Sequence, residues 1–244
     1  MHDPRPAFDD RYATIYDLIY QGRGKDYAAE AAELTRLITS RRPDASSLVD
    51  VACGTGLHLR AFADLFEHVQ GVELSEDMLT IAKGRLPFVP LHVGDMREFD
   101  LGRTFDAVTC LFAAVGHMRT LEELGKAASR LVAHLVPGGV VIVEPWWFPD
   151  NFLPNYVGGD IVERDGYTIA RVSHTTAKGL VTTMTVHYVV ATPEQGPHHF
   201  TNTVVNTLFT REEYENALRA AGCASVEYIV DGPSGRGRFV GVRG

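Results

Sequence analysis

Several residues in this chain have the types and spacings needed to hold a ligand. Gly54-Thr55-Gly56 follows the apolar run Leu48-Val49-Asp50-Val51-Ala52. Two glycines one residue apart at the end of such a run let backbone N–H groups approach a ligand that a Cβ would keep away. Glu73 stands 17 residues after Gly56 and closes a second apolar stretch, where its carboxylate can accept both hydroxyls of a ribose. Asp95 closes a third, and with Met96 it can address the amine and ring face of an adenine. Near the other end, Arg236 sits in Gly232-Pro233-Ser234-Gly235-Arg236-Gly237 and offers a guanidinium fork to phosphate beside exposed N–H groups. Taken alone, the glycine pair also fits an ordinary strand-to-helix turn. Leu59 occupies the position of the third glycine of a dinucleotide fingerprint, which counts against a nicotinamide or flavin site.

These residues need a scaffold that gathers strand ends. Residues 1–26 read as loop, with Tyr12, Tyr16 and Tyr20 at helical spacing, and Tyr27 to Ser40 reads as an amphipathic helix. Strands are expected at the run before Gly54, at His68 to Leu74, Phe88 to Gly94, Phe105 to Phe112 and Val140 to Glu144. Helices are expected at Leu57 to Phe66, from the Ser75 cap to Leu86, and at Leu121 to Leu135, the last stopped by Pro137-Gly138-Gly139. Strand and helix in alternation, with nearly unbroken apolar strands, predict an α/β fold with a doubly wound, mostly parallel sheet. After Trp146 the pattern changes to alternating strands separated by Arg164-Asp165-Gly166 and Ala177-Lys178-Gly179, as in antiparallel hairpins. We therefore expect a core at residues 1–145, an inserted antiparallel β lid at 146–208, and a return to the core at 209–244, opened by Thr210 and Glu213 as a capping box.

Composition narrows the function classes. A formal net charge of −8 disfavours a non-specific nucleic-acid binder, so an anionic substrate must meet a local basic cluster. Cys53, Cys110 and Cys223 are too few and too widely spaced for a disulfide framework or a zinc pattern, which points to a reducing cytoplasm. No run nears membrane-spanning length and no secretory leader is legible. His198-His199 has no acidic partner at ligand spacing, so no metal site is expected and the pair reads as a solvent-facing strand start.

Asp50-x-Ala52-x-Gly54-x-Gly56 resembles the first motif of class I S-adenosylmethionine-dependent methyltransferases, which implies a Rossmann-like seven-stranded sheet. The resemblance sharpens with Tyr16-Asp17-Leu18, Gly22-Arg23-Gly24-Lys25-Asp26-Tyr27, Gly94-Asp95-Met96-Arg97, Gly116-His117, Val143-Glu144-Pro145-Trp146-Trp147-Phe148-Pro149, Arg171-Val172-Ser173-His174 and Gly232 to Gly237. Together these are similar to the dTDP-amino-sugar N,N-dimethyltransferases of antibiotic pathways, such as those making desosamine and mycaminose. The departure is Ala113-Ala114-Val115, where small hydroxylated residues are expected. The resemblance implies S-adenosylmethionine as cofactor, held by Arg23, Lys25, Ala52, Gly54, Gly56, Glu73, Asp95 and Met96, and a dTDP-amino sugar as substrate. Tyr16, Trp146, Trp147, Arg171, Ser173, Ser234 and Arg236 are then the substrate residues. His117, with Tyr16, falls on the acceptor side as the group that holds the amine and takes its proton. A homodimer is also implied. A 4-amino sugar and a free small amine stay open as acceptors. A cofactor-binding module without catalysis is disfavoured by the lid and by a second set of pocket residues. Nucleic-acid amino-methylation is disfavoured too, because Leu111-Phe112-Ala113-Ala114 lacks the Pro-Pro-aromatic motif of those enzymes.

Overall fold

The computed structural model describes residues 10–230 and 235–244. Eleven strands form two sheets among these residues. The first has seven strands in the order β10-β11-β5-β4-β1-β2-β3. Its centre is β1 (Ser47–Val51), β4 (Phe105–Cys110) and β5 (Leu135–Val143), flanked by β2 (His68–Glu73) and β3 (Leu91–Val93). These five run parallel, whereas β11 (Arg238–Arg243) is antiparallel to both β5 and β10 (Cys223–Ile229). Every residue of β4 is buried, as its largely apolar character requires of a strand covered on both faces. Helices α2 (Tyr27–Thr39) and α3 (Leu57–Ala63) pack one face, and α5 (Leu121–Ala133) and α6 (Arg211–Ala220) the other. Helix α4 (Glu76–Arg85) follows β2 and is capped by Ser75, whose hydroxyl accepts from Met78 N.

The second sheet is antiparallel, with β6 (Tyr156–Arg164), β7 (Tyr167–Lys178), β8 (Val181–Thr192) and β9 (Gly196–Thr207) in chain order. The chain returns to the core through α6, where Thr210 and Glu213 form the expected capping box.

Three local expectations are corrected. Residues 10–22 form a regular helix, α1 (Asp10–Gly22), as the tyrosine spacing suggests, where the stretch otherwise reads as loop-like. Its apolar stripe, Tyr12, Ile15 and Ile19, is buried against Ile169, Val186 and Tyr188 of the second sheet and Met78 of α4. Most of that face is covered only by the second sheet, so tertiary packing decides the helix. Strand β3 begins only at Leu91, because Pro90 has no N–H to give a sheet, and Phe88 is left almost fully exposed. Helix α5 ends at Ala133, and Pro137-Gly138-Gly139 lies inside β5. There a register shift opposite Phe105 and Ala107 brings Gly139 against the backbone of Val136 and Asp106, leaving no room for a Cβ.

Candidate active site

The carboxyl ends of the parallel strands open into a cavity of about 930 Å³, roofed by α1 and the inner face of the second sheet. This volume lies at the upper end of single small-molecule sites, so it can hold two ligands side by side.

The floor is built by the strand ends. Ala52 and Gly54 line it with positive φ of 60° and 58°, and the direction of a Cβ on Gly54 is open space. Glu73 is buried, and each carboxylate oxygen accepts a backbone N–H, from Gly54 and from Ser75, both at 2.8 Å. Burial pushes its carboxyl upward and these N–H bonds pull it back. Each oxygen retains a further lone pair for a ligand hydroxyl. Gly56 does not line the cavity. It takes φ +80° at the start of α3, where a Cβ would crowd Ala82 and Leu86, so it shapes the loop. Asp95 and Met96 line the cavity, with Asp95 clamped by the Arg97 fork at 2.6 and 3.0 Å; Arg97 also reaches Glu123. Arg23 and Lys25 line the cavity from the loop after α1, Lys25 paired with Glu30 and seated 4.5 Å from the Phe112 ring centroid.

The roof is held down by a bond network that sequence reading missed. Asp17 on α1 accepts from Thr55 Oγ1 at 2.6 Å and from Arg85 at 2.6 Å, and Arg85 also donates to the Thr55 carbonyl. This ties α1 to the glycine loop and presents Tyr12, Tyr16 and Tyr20 to the cavity. Burial raises the Tyr16 phenol well above its ordinary range, so it stays protonated and can donate.

The acceptor side lies where β4 and β5 end. Phe112 and Ala113 both take left-handed backbone, φ 56° and 63°, a strained arrangement for two successive non-glycine residues. It is held by Glu144, whose buried carboxylate accepts the Phe112 N–H at 2.7 Å. Neither residue was singled out from the sequence for this role, since strain leaves no compositional signal. His117 follows in a short 3-10 turn and lines the cavity. Its Nδ1 lies 3.2 Å from the Val205 carbonyl, which only accepts, so Nδ1 carries the proton and the neutral ring offers Nε2 as an acceptor. Burial pushes this imidazole below its ordinary range.

Arg171 is buried on the inner face of β7, where it lines the cavity, donates to Ser173 Oγ at 3.1 Å and lies 3.8 Å from Asp160. Ser173 supports Arg171 and does not itself line the cavity. The Arg236 guanidinium lies 5.3 Å from one Trp146 ring centroid and 5.6 Å from one of Trp147, with Trp146 lining the cavity and Trp147 behind it. Ser234 lies outside the described residues. Tyr188, Met184 and Asn206 complete the roof; only their inward alternation on β8 and β9 marks them, and that singles out half of each strand.

The comparisons agree with this geometry. Residues 48–139 match the methyltransferase domain family. The chain is 56% identical over 95% of its length, and 97% of the relative's, to the dTDP-3-amino-3,4,6-trideoxy-alpha-D-glucopyranose N,N-dimethyltransferase of Streptomyces venezuelae. The chain belongs to the sugar N,N-dimethyltransferases. The dTDP-4-amino-2,3,4,6-tetradeoxy-D-glucose N,N-dimethyltransferase of Saccharopolyspora spinosa is 47% identical over 97% of this chain and 94% of its own. The structure of an S-adenosylmethionine-bound amino pentose methyltransferase of Micromonospora echinaspora, involved in calicheamicin biosynthesis, superposes with a TM-score of 0.88 at 48% identity, covering both chains completely. Membership makes the chain an S-adenosylmethionine-dependent methyltransferase of the Rossmann-like class I fold. The open space at Gly54, the Glu73 carboxylate and Asp95-Met96 fit that cofactor.

Proposed function

We propose that this enzyme methylates the amino group of a dTDP-linked 3-amino deoxysugar, twice, in the making of an antibiotic sugar. One observation carries this reading: in a chain of net charge −8, two arginines, the buried Arg171 and the half-buried Arg236, face the same cavity as the cofactor floor. The pyrophosphate of a nucleotide-sugar is an anion that guanidinium forks are shaped to meet. The relative with the 3-amino substrate has the higher identity of the two, 56% against 47%, which favours the 3-position. Ser234 is proposed to support Arg236, and Trp146 to wall the sugar.

S-adenosylmethionine, when bound, supplies a methyl on a sulfonium that is already a good leaving group. The protein then has little covalent work to do. Its residues must hold the amine nitrogen in line with that methyl, and placement of this kind contributes several kcal/mol. An ammonium has no lone pair, so the pocket must also favour the neutral amine. His117 serves this through Nε2, taking the amine proton directly or through water, and Tyr16 orients the amine from α1. Residues 146–208 act as the acceptor lid. The enzyme is proposed to be cytoplasmic, in keeping with three free, buried cysteines, and to act as a homodimer.

The test is incubation with dTDP-3-amino and dTDP-4-amino sugars and with free small amines, read by product mass. A gain of two methyl groups on the 3-amino sugar is expected. Equal turnover of a free amine would remove the role given to Arg171 and Arg236.

A further inference from the structure

Beside the glycine loop, a charged cluster joins four parts of the chain. Glu30 on α2 and His58 on α3 are both buried, and His58 Nε2 lies 2.7 Å from Glu30 Oε2. The same oxygen accepts from the Lys25 ammonium, in the loop after α1. Lys25 Nζ lies 4.5 Å from the ring centroid of Phe112, just past β4, and 5.0 Å from that of Tyr27, whose ring meets His58 edge-on at 4.7 Å. Burial pushes the Glu30 carboxyl upward, yet the bonds from His58 and Lys25 hold it below its ordinary range, so it is ionised. Buried ion pairs are in general no more stabilising than apolar side chains of similar volume, so stability alone does not account for the cluster. Glu30 and Lys25 line the cavity, whereas His58 stands behind them.

We propose that Glu30 and His58 are positioning residues for the amino-acid end of S-adenosylmethionine: His58 fixes the Glu30 carboxylate, and Glu30 fixes the Lys25 ammonium where it meets the cofactor's carboxylate. Strand order places that end. Strands β3, β2, β1 and β4 are successive neighbours in the sheet, and Asp95, Glu73, the Ala52–Gly54 turn and Phe112 close or follow them in the same order. The inference rests on adenine at Asp95 and ribose at Glu73, and is independent of which sugar is methylated. With those two parts over β3 and β2, the third part of the cofactor is carried onward to β1 and β4, where Lys25 sits. Arg23, two residues away, turns instead to Asp160 on the lid strand β6. Lys25 is also preset for an anion. One of its three donors goes to Glu30, the Phe112 and Tyr27 rings flank it, and the remaining donors serve the cavity it lines. Without His58, Glu30 is anchored only by a flexible lysine, and the pair must then be ordered when the cofactor arrives, at a cost in affinity.

Calorimetry with two ligands separates this role from a structural one. S-adenosylhomocysteine carries the amino-acid end, and 5′-methylthioadenosine has the same adenine, ribose and thioether without it. His58→Leu should weaken S-adenosylhomocysteine roughly 10-fold and leave 5′-methylthioadenosine within about twofold. His58→Gln, whose amide can donate to Glu30 as the ring does, should restore most of the affinity. In a Lys25→Met background His58→Leu should cause no further loss, because its effect runs through the ammonium. Equal loss of both ligands in His58→Leu, no loss of either, or a further loss in the Lys25→Met background overturns the role of Glu30 and His58 while the placement of adenine and ribose stands. Glu73→Ala should weaken both ligands, since both carry the ribose; sparing of both would overturn that placement and the inference with it. If His58→Leu fails to fold, Glu30→Gln, which keeps the shape and removes the charge, carries the same comparison and the same outcomes.

Discussion

The floor and the roof of the cavity are made of opposite materials. On the floor, acids do the holding. Glu73 is fixed by backbone N–H groups within two residues of itself and from the glycine loop, and Asp95 by the arginine two residues on. On the roof, cations do the holding. Arg236 lies against Trp146 and Trp147, 90 and 89 positions earlier, whereas Arg171 on β7 is held from nearby, by Ser173 two residues on and by Asp160 on the neighbouring strand. The cavity thus presents Glu73 and Asp95 where a cofactor with ribose hydroxyls and an adenine fits, and Arg171 and Arg236 where a dianionic nucleotide fits. Two ligands sorted in this way meet at the strained Phe112–Ala113 turn beside His117.

The division should survive or fail by paired measurements. Glu73→Ala is expected to have the largest effect, because it removes a charged acceptor worth about 2–3 kcal/mol, or roughly 30- to 150-fold in S-adenosylmethionine affinity by calorimetry. The apparent affinity for dTDP should hardly change. Arg236→Ala is the mirror image. Losing one charge-assisted contact to phosphate should raise the Michaelis constant for the nucleotide-sugar about 10- to 30-fold and leave cofactor binding within about twofold. If Arg236→Ala weakened the cofactor instead, floor and roof would not be separate sites.

The same contrast explains what was readable in the sequence. The seven-stranded core was legible because its strands are long apolar runs and its site residues close them, so Gly54, Glu73 and Asp95-Met96 fall into place from order alone. The roof was legible in part. Arg171, Trp146 and Arg236 reach the cavity as the resemblance implied, yet Ser173 and Trp147 stand one layer back, since strand alternation and stacking partners are set by the tertiary fold. Helix α1 was legible only as tyrosines at helical spacing, because its apolar stripe faces a second sheet that begins more than 130 residues later. Gly56 was legible only as part of the loop, for the opposite reason: a glycine needed for backbone shape looks the same in sequence as one needed for ligand approach.

A third prediction tests whether the floor costs stability. Asp50 is buried beneath the glycine loop, and burial pushes its carboxyl up to about 6 from 3.8, although His58 and the Thr109 hydroxyl partly restrain it. The folded state therefore binds this proton more tightly than the unfolded chain does. The contribution of this one group to stability is full below about pH 4, is lost as pH rises from about 4 to 6, and stays lost above that. Asp50→Asn keeps an acceptor for Thr109 and removes the fall. At pH 7.5 the variant should be more stable by about 1–2 kcal/mol in urea unfolding, with no difference at pH 4. Equal stability at both pH values would mean that the carboxylate is compensated by charges from the rest of the floor.

The smallest expected effects lie where floor and roof meet. His117 is kept neutral by burial, its Nδ1 proton committed to the Val205 carbonyl, so Nε2 accepts a proton without first having to lose one. Its depressed value also places any acid limb of the rate profile that belongs to His117 below the ordinary histidine range. If placement of the amine dominates, His117→Asn should lower turnover less than about tenfold, because Asn still accepts a hydrogen bond, whereas loss of an obligatory general base typically costs about 100- to 10,000-fold. Tyr16→Phe should cost only a few-fold, because the ring keeps its contacts with Tyr12 and Tyr20 while one hydroxyl is lost. Single-turnover rates between pH 5 and 9 separate the two accounts. In His117→Asn, a modest drop at every pH with the same high-pH plateau supports placement. A drop of 100-fold or more, with cofactor and nucleotide-sugar affinities intact, would make His117 the base and confine the contribution of floor and roof to binding.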